Sequence, residues 1–140
     1  MALLHASCVA VDGVGVLIRG KPGAGKSDLA LRLIDTGAAL VADDSCETSV
    51  RGGSLYVTAP TTIAGKLEIR GYGIVKLPAR AEATVGLVVD LKAEAEIERL
   101  PETATCDIDG VALPLLTVDA FSASAPAKVR MALRSVRLIP

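Results

Sequence analysis

Hydrophobic positions in this chain fall into short blocks separated by turn residues, and the period within each block predicts its element. Gly13 to Arg19 is apolar and β-branched and predicts a strand. A glycine-rich turn follows. Ser27 to Thr36 then places Leu29, Ala30, Leu33 and Ile34 on one helical face, pairs Asp28 with Arg32 on another, and meets Gly37 at its end. Ala39 to Ala42 reads as a short buried strand closed by Asp43 and Asp44. Strand, glycine loop, helix and strand make one βαβ unit with a right-handed crossover, which sets the two aspartates at the end of the strand adjoining the loop strand.

Beyond Asp44 the pattern is mainly β. Thr48 to Val50 and Ser54 to Thr58 flank Arg51-Gly52-Gly53 as a hairpin, and Lys66 to Arg70 alternates before breaking at Gly71-Tyr72-Gly73. Thr84 to Leu91 is the most apolar segment and predicts a central strand, and Lys92 to Leu100 suits a short helix. Cys106 to Leu113 holds Asp109-Gly110, a strong hairpin signal. Ser7-Cys8-Val9 is strand-like. The tail from Ala125 to Leu138 predicts a helix with Val129, Ala132, Leu133 and Val136 inward and Arg130, Arg134 and Arg137 outward. The sum is an α/β fold, a mixed β-sheet with few helices, in one domain over residues 1–140.

Composition narrows the function. Lys and Arg number 15 against 16 Asp and Glu, for a net charge of −1, which disfavours a nucleic-acid coat. Hydrophobic residues make up 51% and support a packed core, while aromatics are 2%, too few for single-stranded nucleic-acid platforms. No apolar run approaches the roughly 18 residues of a membrane helix. The N-terminus lacks the cationic start of a secretory signal, so the expectation is a soluble cytoplasmic protein with no nucleic-acid or membrane partner. Cys8, Cys46 and Cys106 are widely spaced and without a CxxC pair, which reads as small hydrophobes rather than a disulfide or zinc framework.

Gly20, Lys21, Pro22, Gly23, Ala24, Gly25, Lys26 and Ser27 fit GxxxxGK[ST] at every defined position, directly after a predicted strand and directly before a helix. Successive backbone N–H groups of such a loop converge on one anion, and the helix N-terminus adds partial positive charge. Lys26 would reach the terminal phosphates of ATP, and the Ser27 hydroxyl would hold Mg2+. Of Asp43 and Asp44, one would hold magnesium and the other accept a proton, unless both belong to a solvated turn. Glu68 and Arg70 share a strand face. They suit a second magnesium carboxylate and a phosphoryl-neutralising cation, or equally a plain salt bridge. By themselves His5 reads as a surface or capping residue and Arg99 as a solvated helix arginine.

Taken in order, His5 in Leu-His-Ala-Ser-Cys-Val, the phosphate loop, Leu40-Val-Ala-Asp-Asp44 and Leu67-Glu-Ile-Arg-Gly-Tyr-Gly-Ile74 resemble the catalytic domain of the HPr kinase/phosphorylase family. The resemblance runs from His5 to about Arg99. It implies an ATP-dependent kinase that phosphorylates a serine of HPr, a small phosphocarrier protein of the sugar phosphotransferase system, and that reverses the step by phosphorolysis. It further implies catalytic roles for His5, Lys26, Asp44 and Arg99, with Asp44 the proton acceptor. Ser27 and Glu68 become magnesium ligands, the Leu67 to Lys76 segment serves both reactions, and the assembly is a hexamer. Typical members carry a separate N-terminal domain. Here the resemblance starts almost at Met1, as in the short form of some proteobacteria. They also carry a Pro- and Arg-rich segment before the last helix, where residues 113–124 here hold no Lys or Arg, so the expectation is a kinase with weak phosphorolysis. The basic face of the last helix, Lys128, Arg130, Arg134 and Arg137, is either solvated or meets a partner protein. A P-loop small-molecule kinase and an ATP-sensing module without transfer are the competing readings.

Overall fold

Eleven strands and two helices follow one another along residues 2–135 and 137–138, the part of the chain that this computed structural model describes. The first six elements are β1 (Ala2–Leu4), β2 (Ser7–Val11), β3 (Val14–Arg19), α1 (Lys26–Asp35), β4 (Ala39–Ala42) and β5 (Cys46–Arg51). β6 (Ser54–Thr58), β7 (Lys66–Ile69), β8 (Gly73–Lys76) and β9 (Glu82–Leu91) come next, then β10 (Ala104–Ile108), β11 (Val111–Val118) and α2 (Ala125–Arg134). Nine strands form one mixed sheet, in the order β1-β5-β6-β9-β3-β2-β4 with β11 and then β10 branching from β9, while β7 and β8 make a separate hairpin.

β9 is central, as its apolar run predicts. It pairs with β6 at its start, with β11 at its end, and with β3 in parallel along most of its length. Its side-chain phase changes midway. Ala83 and Val85 join one core, whereas Leu87, Val89 and Leu91 join the core beneath the helices. The register shift between Gly15 and Val16 takes up the extra residue, Gly86. Only glycine fits there, because a Cβ on Gly86 would stand 2.5 Å from Val14 Cγ1 and one on Gly15 2.7 Å from Thr84 O.

Two short reversals are written in Asp-Gly pairs. Asp12 and Gly13 have φ of 50° and 82°, Asp109 and Gly110 of 52° and 85°, the left-handed pairs that close two-residue hairpins. The β5–β6 hairpin likewise turns through Gly52 and Gly53.

Four expectations need correction. β4 does not adjoin β3: β2 lies between them, antiparallel to both, because the Asp12-Gly13 turn folds β2 back onto β3 before the helix is made. Lys92 to Leu100 forms only a 3-10 turn at Glu94–Glu96. The segment is too short for a stable helix without packing, its apolar residues are not buried, and Asp119 Oδ2 takes the Glu94 N–H at 3.1 Å, tying the segment to the end of β11. In α2, Ala125 and Val129 are buried and Leu133 is half-buried, but Ala132 is exposed, and Val136 lies outside the described residues. Arg130 is not a free outward charge. Its guanidinium donates to Leu33 O at 2.9 Å and Thr36 Oγ1 at 2.5 Å, holding α2 on the C-terminal end of α1.

Candidate active site

The loop Gly20–Ser27 leaves the C-terminal end of β3 and enters α1 with no side chain capping the helix. Gly25 is the N-cap residue at φ 99°, Gly23 has φ 84°, and Ala24 N–H closes a turn onto Lys21 O at 2.9 Å. The first N–H groups of α1 therefore have no capping side chain and face a cavity of about 670 Å³ that the loop helps to line. An uncapped helix end with open space before it suits a phosphate chain.

His5, Lys26, Ser27, Asp44, Glu68 and Arg70 all line this cavity. Lys26 Nζ is held by Gly20 O at 3.0 Å and lies 3.8 Å from Asp44 Oδ1. The lysine side chain is 10% exposed and the aspartate 71%, so Asp44 faces outward while the lysine stays with the loop.

Asp43 takes the other direction. Its Oδ1 accepts the Ser27 hydroxyl at 2.6 Å and the Ser7 hydroxyl at 3.1 Å, and its Oδ2 accepts the Glu68 N–H at 3.2 Å. One carboxylate thus joins the loop, β2 and the β7–β8 hairpin. Asp44 N–H donates in turn to Ser7 Oγ at 3.0 Å, and Asp44 sits at φ 63°. A residue with a Cβ carries some strain in the left-handed region, and the buried serine is the group that holds this one there. The turn is what sends the two neighbouring aspartates to different places.

The residues by themselves leave open which aspartate belongs to the metal, while the family resemblance makes Asp44 the proton acceptor and Ser27 and Glu68 the magnesium ligands. Geometry separates the two aspartates: Asp43 accepts the Ser27 hydroxyl, and Asp44 pairs loosely with Lys26 at 3.8 Å. The sequence names Asp43 only as one of a pair with Asp44, and nothing in a buried strand serine marks Ser7, whose hydroxyl bonds both aspartates. Arg99 is exposed past the Glu94–Glu96 turn and outside the cavity lining.

Hard oxygen ligands fit magnesium here. Among the described residues no group of three or more His, Cys, Asp and Glu could hold a metal unaided. Ser27, Asp43 and Glu68 offer oxygen donors of the kind magnesium takes. Two residues past Asp44, burial and the nearby Asp43 and Asp44 charges push the Cys46 thiol up to about 12. Burial likewise pushes the Cys8 thiol well above its usual range. All three cysteines are free, two of them buried, as small hydrophobes would be. No helix among the described residues is long and apolar enough to cross a membrane.

The HPr Serine kinase C-terminal domain family matches residues 1–131. An HPr kinase/phosphorylase of Chlorobium phaeobacteroides (strain DSM 266) is 41% identical over 130 residues, covering 84% of this chain and 40% of the relative. One of Clostridium tetani is 37% identical over 107 residues, covering 69% and 35%. The chain thus spans two fifths or less of the length of these curated relatives. The solved Hpr(Ser) kinase/phosphatase from Coxiella burnetii superposes with a TM-score of 0.85 at 27% identity, covering 96% of this chain and 95% of that one.

Proposed function

Since this chain belongs to the HPr serine kinase C-terminal domain family, we propose that it transfers the γ-phosphoryl group of ATP to a serine of HPr at the Lys26–Asp44 pair. The observation that carries this reading is the approach of Lys26 Nζ to Asp44 Oδ1, 3.8 Å, at the mouth of the uncapped loop. A proton acceptor beside the phosphate-binding lysine, yet open to a macromolecule, is what a protein kinase requires.

The substrate hydroxyl gives its proton to Asp44 as its oxygen bonds the γ-phosphorus, and the bond from that phosphorus to the bridging oxygen breaks to leave ADP. Lys26 exchanges Gly20 O for the phosphate oxygens and offsets the charge that gathers between them. Ser27, Asp43 and Glu68 would hold magnesium, which neutralises phosphate charge when bound. His5 and Arg70 flank the transferred group in the same cavity. The family resemblance gives Arg99 a catalytic role as well, although it is exposed and does not line this cavity. A cytoplasmic location and a hexameric assembly belong to the same proposal.

The test is incubation with ATP labelled in the γ-phosphate and purified HPr, followed by mapping of the modified residue. One labelled serine, lost when Lys26→Ala replaces the unaltered protein, supports the reading. Transfer by the Lys26→Ala variant at the unaltered rate refutes it.

A further inference from the structure

Phe121 is the only phenylalanine in the chain and one of three aromatic residues, and it is 66% exposed. An exposed ring normally moves freely, but this one is built in. Phe121 N–H donates to Asp119 Oδ1 at 2.9 Å. The carbonyls on either side of it, those of Ala120 and Ser122, both accept from the Arg32 guanidinium. Arg32 projects from α1, one turn past the phosphate loop, and is itself paired with Asp28 at 2.8 Å. The ring also rests on the loop, since a Cβ on Gly25 would stand 3.0 and 3.1 Å from two of its carbons.

The ring divides two cavities. One is the catalytic cavity described above. The other, about 520 Å³, lies across the loop where β3 and β9 end, and Leu91 and Ala93 line it together with Lys92 and Glu96. Its volume is within the range of small-molecule sites. Both cavities share Gly20, Pro22, Gly23 and Phe121, so one ligand can pass from the first to the second along the loop.

Such a ligand has a polyanionic end for the loop and a flat apolar end for the ring. We infer that the second cavity receives the nucleoside half of the triphosphate, with the base stacked on Phe121 over Leu91 and Ala93 and the sugar hydroxyls donating to Glu96. This rests on the triphosphate reading of the loop. Asp119 also lines this cavity, but each of its oxygens already accepts a backbone N–H, so its role there is to hold the segment that carries Phe121. Arg32 is a positioning residue for the ring.

Titration calorimetry with magnesium ATP and with magnesium tripolyphosphate separates the two halves of the ligand. Phe121→Ala should weaken ATP binding about tenfold, the scale of one base–aromatic stack, while tripolyphosphate binding stays within about twofold. Phe121→Tyr, which keeps the ring face, should bind both as the unaltered protein does. Unchanged ATP affinity in Phe121→Ala would overturn the inference. So would an equal loss of both ligands, which would make the ring a prop for the loop. A rise in the KM for HPr with ATP affinity unchanged would make it a protein contact and likewise overturn the inference. If the unaltered protein bound neither ligand, the triphosphate reading would fall first and take this one with it.

Discussion

The Ser7 hydroxyl accepts the backbone N–H of Asp44 at 3.0 Å across 37 positions of sequence. The same oxygen donates to Asp43 Oδ1 at 3.1 Å, so one fully buried atom fixes the backbone of one aspartate and the carboxylate of its neighbour. A relaxed turn would move Asp44 away from Lys26.

Ser7→Ala should therefore lower kcat by about tenfold to a hundredfold, the cost of a misplaced catalytic group, while the KM for ATP changes little. Steady-state kinetics with HPr decide it. A loss confined to the KM for ATP would show that Ser7 serves the loop instead.

Phosphorolysis should be weak. The reverse step must bring inorganic phosphate and phosphoserine into one cavity, and the only Lys or Arg lining it among the described residues are Lys26 and Arg70. The segment before α2, 113–124, holds no Lys or Arg and presents Phe121 to that cavity. Given serine-phosphorylated HPr and excess phosphate without ATP, pyrophosphate release should run at about a tenth of the forward rate or less. Equal rates would mean that a neighbouring copy supplies the missing charge.

Stability should fall in alkali through Cys46. Its thiol is raised from an ordinary 9.0 to about 12, so the folded state favours the neutral form. The resulting stability is whole below pH 9 and is lost as pH rises toward 12. Urea unfolding at pH 8 and pH 11 should show a smaller gap between the unaltered protein and Cys46→Ala at the higher pH. A constant gap would contradict the assignment.

Much of this architecture is legible in local patterns. The phosphate loop, the Asp109-Gly110 hairpin, the Gly52-Gly53 turn and the apolar run of β9 each specify their own geometry over a few residues. What escapes is long-range. Asp12-Gly13 is as clear a turn as Asp109-Gly110, but that it inserts β2 between β3 and β4 depends on pairing, not on the turn. Gly86 shows as a bulge only when Val14 is seen against it. Arg130 and Arg32 look like surface charges until the carbonyls they bind are placed beside them. For the site, the motif residues His5, Lys26, Ser27, Asp44 and Glu68 line one cavity, with Arg70 joining from strand alternation. Ser7 and Phe121 matter through neighbours 37 and 88 to 90 positions removed, which no local pattern contains.

The most direct test of the account is phosphate transfer to HPr by Asp44→Asn, measured beside ATP binding by the same protein. Asparagine keeps the size of the side chain and its place 3.8 Å from Lys26 but cannot take the proton. The account predicts ATP affinity close to that of the unaltered protein and transfer slower by roughly 10²–10⁴-fold, the usual contribution of a general base. Transfer at an undiminished rate, or lost ATP affinity with the residual transfer intact, would contradict it and move the proton acceptor elsewhere.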